Sequence, residues 1–109
     1  MGITKSEVFD ERVNRLAGYA KALAHPARVA IIEYLLQHRA CICGDLVGVL
    51  PLSQSTISQH LKELKHLGMI QGEIEGPRIN YCIDGTAWQE ARRMLGELFD
   101  AYNQNGTCC

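Results

Sequence analysis

Apolar residues recur at helical spacing through most of this chain and change to strict alternation in one stretch after residue 69. Phe9, Val13, Leu16, Ala20 and Leu23 are spaced 4, 3, 4, 3, which predicts a first helix over residues 6–24 with a stripe suited to packing on another helix. His25-Pro26 ends it, because the residue before proline avoids the α region and proline is accepted at the first position of the next helix. The following ARVAIIEYLLQ is apolar except for Arg28, Glu33 and Gln37 and predicts the central buried helix. Gly44–Leu50 predicts a short helix with Asp45 as N-cap, stopped by Pro51. Ile57, Leu61 and Leu64 then recur at i, i+4 and i+7 in an amphipathic helix, with Ser53 as its N-cap and Gly68 closing it in the left-handed conformation.

Beyond Gly68 the period becomes two: Ile70, Gly72 and Ile74, then Ile79, Tyr81 and Ile83 on the far side of Gly76-Pro77. Two alternating runs around such a turn predict a β-hairpin with Arg78 at its tip. Residues 86–102 finish as a helix lined by Trp88, Ala91, Leu95, Leu98 and Tyr102. The expected fold is therefore mainly α with a β-hairpin wing, in the order α-α-α-α-β-β-α: a winged helix-turn-helix. One domain spans residues 1–103, and residues 104–109 form a mobile, cysteine-ended tail. The apolar stripes of the first and last helices exceed what one small core can cover, which predicts a homodimer joined through them.

The amphipathic helix has an unusual outer face, carrying Gln54, Ser55, Ser58, Gln59, Lys62 and Lys65. Amides and hydroxyls match base edges in a major groove, and lysines with a helix N-terminus match phosphates. An ordinary surface helix would mix carboxylates with its lysines, and Glu63 is the only acid here. That face alone leaves the two readings level; the short helix and tight turn before it tip the balance toward DNA.

Charge adds little, since 11 Lys and Arg stand against 12 Asp and Glu in 109 residues, so any positive patch is local. No N-terminal apolar run suits a signal peptide or membrane span, so no membrane is expected as a partner and the expected compartment is the reducing cytoplasm. The five cysteines are then thiols, a setting in which clustered cysteines bind metal or answer oxidants. Cys41 and Cys43 share one side only if their segment is extended or just entering a helix, because on a regular helix they stand about 200° apart. Cys108 and Cys109 could donate from the tail, and Cys82 in a strand reads first as a small, buried residue. An all-thiolate set without histidine or carboxylate selects soft ions. No general-base constellation accompanies the thiols, so an enzyme is not expected.

The segments LAHPARVAIIEYL, CICGDL, LSQSTISQHLKELKHLGMI and GEIEGPRINYCI resemble the ArsR/SmtB metalloregulatory repressors, of the arsenical-resistance type, over nearly the full chain. The resemblance implies a dimeric winged helix that blocks operator DNA until an inducer weakens its grip. It implies that Ser55, Thr56, Ser58, Gln59 and His60 lie on or near the groove-reading helix, with Lys62, Lys65 and Arg78 on phosphates. His60 also reads as a hydrogen-bonded histidine at a helix-helix seam.

Soft-ion sensors of that family carry Cys-x-Cys just before Asp-Leu; here Gly44 is interposed, which shifts the thiols one residue upstream. In such winged helices this segment can pair with the second wing strand, which would turn Cys41, Cys43 and Cys82 outward together as three thiolates. Cys82, Cys108 and Cys109 are thus the candidates for the third ligand. The final helix lacks the histidine pattern of the family's zinc, cobalt and nickel sensors, so trivalent arsenic or antimony is the first choice. Cadmium, lead or zinc is the competing set, and a thiol-redox or persulfide response is the alternative.

Overall fold

A computed structural model describes residues 5–38, 43–75 and 78–105. Its elements are α1 (Lys5–Val8), α2 (Glu11–Ala22), α3 (Pro26–Gln37), α4 (Cys43–Val47), α5 (Gln54–His66), β1 (Ile70–Glu75), β2 (Arg78–Ile83) and α6 (Gly85–Asn105). The winged helix-turn-helix read from the sequence is the observed fold. Among the described residues no helix is long and apolar enough to cross a membrane.

The expected first helix is divided. Asp10 takes an extended backbone and its carboxylate accepts the Val13 amide at 2.8 Å, so α2 starts afresh after the short α1. Its buried face is also rotated: Tyr19 and Ala22 are buried, Leu16 and Leu23 pack beside them, and Ala20 faces out. α2 is tied to α6 by the Tyr19 hydroxyl, which donates to Glu90 Oε1 at 2.5 Å, and by Arg15, 3.3 Å from the same carboxylate. Burial and this carboxylate together push the Tyr19 phenol up to about 12.

α3 is central, with Ala27, Ile31, Ile32 and Leu35 buried against α5 and the wing. Its N-cap is His25, whose Nδ1 accepts the Ala27 amide at 3.0 Å. α4 begins at Cys43, two residues before Asp45, so Asp45 lies within its first turn and is not the cap expected. Leu46 anchors this five-residue helix, fully buried.

Two expected features of α5 are present: Ser53 Oγ accepts the Thr56 amide at 3.3 Å, and Gly68 follows the helix at φ 82°. Ile57, Leu61 and Leu64 are fully buried. The hairpin pairs Ile70 with Ile83 and Glu75 with Arg78, antiparallel throughout, around residues 76–77, which lie outside the described residues. Gly72 faces Tyr81, and a Cβ there would come within 3.2 Å of the Tyr81 ring and 3.0 Å of the Ile79 side chain, so the hairpin closes tightly only over glycine. α6 runs on to Asn105, past Tyr102 where its apolar stripe ends.

Candidate nucleic-acid interface

α5 stands on α3 and α4 with its apolar stripe buried, which leaves its opposite face to solvent. Gln54, Ser55, Thr56, Gln59, Lys62 and Lys65 are exposed there, and Ser58 is half-buried toward the wing. At the N-terminus the Ser53 hydroxyl donates to Thr56 Oγ1 at 2.9 Å and lies 3.2 Å from Ser55 Oγ, so three hydroxyls cluster where the helix presents its free amides. Glu63, the only acid of the helix, is drawn to Lys21 of α2 at 3.8 Å. The outward face therefore carries amides, hydroxyls and ammonium groups without a competing carboxylate.

Arg78 is exposed at the start of β2 and lines a cavity of about 450 Å³ with Cys43, Gly44, Gln54, Ser58, Ile79 and Tyr81. This cavity joins the entrance of α4, the start of the reading helix and the wing. The Cys43 thiol is 3.9 Å from the Gln54 carbonyl oxygen and packs against the hydrophobic core. Burial pushes the thiol pKa up. The phenol of Tyr81 is pushed up too, first by burial and then by the neighbouring Cys43.

Cys43 is therefore not the solvent-facing strand residue the outward-thiol arrangement required; a helix start turns it inward. β2 presents Tyr81 to it, and by alternation Cys82 takes the opposite face, across from Gln71. The described structure does not bring Cys82 to Cys43, and among the described residues no three His, Cys, Asp or Glu side chains gather closely enough to hold an ion. Cys41, Ile42, Cys108 and Cys109 lie outside the described residues.

His60 falls at the seam between helices, half-buried, with its ring 4.6 Å from that of His25. Burial, then His25 and Arg28, hold its pKa below the usual histidine range. Neither His25, expected only to end a helix, nor Tyr81, expected only in the wing's alternation, was expected at this site. A polar side chain directly before Pro26, at the N-cap of a helix, was the available signal for the first; the position of Tyr81 beside Cys43 is set by the wing's docking and had none.

Residues 25–71 match the family described as "Bacterial regulatory protein, arsR family". The HTH-type transcriptional regulator CmtR of Mycobacterium tuberculosis is 36% identical over 87 residues, 80% of this chain and 70% of its own length. The HTH-type transcriptional repressor SmtB of the same organism is 41% identical over 61 residues, 56% of this chain and 44% of its own length. The solved structure of an ArsR-like transcriptional regulator from Rhodococcus sp. RHA1 superposes with a TM-score of 0.73 at 24% identity, covering 85% of this chain and 87% of its own, and shares the fold. A helix-turn-helix with a polar outer face on α5, its wing and these relatives lead to one conclusion: the chain belongs to the arsR family of bacterial regulatory proteins and is a DNA-binding transcriptional regulator, not an enzyme.

Proposed function

We propose that this protein is a repressor that occupies inverted-repeat operator DNA as a cytoplasmic homodimer and releases it when cysteine thiols capture a soft ion. Trivalent arsenic or antimony is the first choice, and cadmium, lead or zinc the competing set. Cys41 and Cys43 are the primary thiols. The inward turn of Cys43 and the opposite face taken by Cys82 weigh against Cys82 as the third, for which Cys108 and Cys109 are the other candidates.

One observation carries this reading: Cys43 shares a cavity with Gln54 and Ser58 of α5 and with Arg78 of the wing. A thiol drawn toward a ligand there pulls on the entrance of α4, which is only five residues long and packs directly on α5. Gln54, Ser55, Thr56, Ser58 and Gln59 are assigned to the groove, with His60 supporting them from the seam, and Lys62, Lys65 and Arg78 to phosphates. The donor chemistry is sulfur alone, which suits thiophilic ions.

Repression is supported by the similarity to SmtB, itself named a repressor. The dimer is supported by Leu98, Phe99 and Tyr102, which remain 53%, 68% and 71% exposed on α6. Leu16 and Trp88, expected at that interface, pack instead against the chain's own core.

The test is operator binding by fully reduced protein. Arsenite added without any oxidant should release the DNA. Release only by oxidant or persulfide would replace the ion with thiol-redox control, and release by cadmium, lead or zinc but not arsenite would move the choice to the competing set.

A further inference from the structure

We propose that the contact between His25 and His60 is a proton-sensitive latch on the DNA-reading helix, closed while His25 Nδ1 accepts the Ala27 amide beside a neutral His60 ring and opened by acid. It rests on the assignment of α5 to DNA.

His25 caps α3 from an extended backbone (φ −144°, ψ 134°), with Nδ1 accepting the Ala27 amide at 3.0 Å. Only an unprotonated ring nitrogen can accept. A proton at Nδ1 would set two donors against each other and place a positive charge at the positive end of the helix dipole. The ring of His60, on α5, lies 4.6 Å from that same imidazole.

The groups around His60 make its protonation costly. From α3 it meets His25 and Arg28. Arg28 is fixed by donating to the Lys21 carbonyl of α2 at 2.8 Å. Arg28 and His60 line a second cavity, of about 460 Å³, whose other walls along α5 are Gln59, Lys62, Glu63 and His66. Glu63 is the one carboxylate among them, and the Lys21 ammonium already holds it at 3.8 Å.

The sign follows from linkage. His60 is a base whose native pKa is depressed, so the unfolded chain takes up its proton first. The stability of the joint is complete above the ordinary histidine range, about 6.5, and is lost as pH falls through that value and then the lower native one. Acid should therefore weaken operator binding. Added positive charge on a DNA-binding surface ordinarily strengthens it, so the two effects have opposite directions.

The experiment follows the thermal midpoint without DNA, and operator affinity at fixed salt, between about pH 7.5 and about pH 5.5, a window bracketing the histidine range. Wild type should lose several degrees and bind operator several-fold more weakly. His25→Asn keeps a capping acceptor that does not titrate, and should lose much less of both. An unchanged pH profile in His25→Asn, or wild-type affinity that rises in acid, overturns the latch. Should His25→Asn not fold, NMR of wild type decides: the His60 ring should titrate as the Ala27 amide loses protection from exchange, and titration with that amide unaffected overturns the proposal. A thermal midpoint that follows the predicted profile in a protein binding no operator at any pH would overturn the assignment of α5 to DNA, not the contact.

Discussion

The sulfur of Cys43 lies 3.9 Å from the carbonyl oxygen of Gln54, so the first residue of α4 touches the first residue of the reading helix across the turn that joins them. Leu46 is the side chain of α4 that is fully buried in the core. Leu46→Ala should cost about 2–5 kcal/mol of stability, the usual range for emptying a leucine site in a core. Chemical denaturation measures it, and a loss below about 1 kcal/mol would show that α4 is held by something other than its core contact.

The reading helix predicts two distinguishable defects. Gln59→Ala, at an exposed amide in the middle of α5, should lower the preference for operator over random DNA by about 1–3 kcal/mol. Lys65→Ala should weaken binding to both about equally and reduce the salt slope by about one. Competition binding at several salt concentrations separates them, and unchanged specificity in Gln59→Ala would remove that residue from the bases.

Leu98 and Phe99 are more than half exposed on α6, which makes them better probes of self-association than Leu16 or Trp88. Leu98→Glu with Phe99→Glu should yield a folded monomer by sedimentation equilibrium. A stable dimer from that variant would place the interface elsewhere.

Asp84 joins the wing to α6: its carboxylate accepts the Ala87 amide at 3.0 Å and the Gln71 side-chain amide at 3.0 Å. These bonds, the Ala87 amide foremost, hold its pKa below the usual carboxylate value. A lowered carboxylate contributes stability above its unfolded pKa and loses it as pH falls through the native one. Asp84→Ala should therefore cost about 1–2 kcal/mol at neutral pH. Its difference from wild type should shrink as the pH drops below about 4. Thermal unfolding across that range checks both the size and the sign.

Much of this fold was legible because α5, β1, β2 and α6 each repeat one period over many residues, and Ser53 and Gly68 mark the ends of α5 by their own chemistry. The divided first helix was not, because Asp10 interrupts an apolar spacing that continues unbroken across it. The polar outer face of α5 was legible for the same reason as the helix, since both depend on local spacing. Cys43 was not: whether a thiol turns in or out depends on where α4 starts, and a one-residue change there reverses its side. The neighbours His25 and Tyr81 come from the N-cap of α3 and from β2, and no local pattern links them to the residues they touch.

Operator binding measured by fluorescence anisotropy, with and without arsenite and under full reduction, tests the central claim most directly when wild type is set beside the double variant Cys41→Ser with Cys43→Ser. Wild type should bind operator and release it on adding arsenite, and the double variant should bind as tightly and stay bound. A double variant that still releases its operator on arsenite would contradict the coupling of Cys43 to the reading helix.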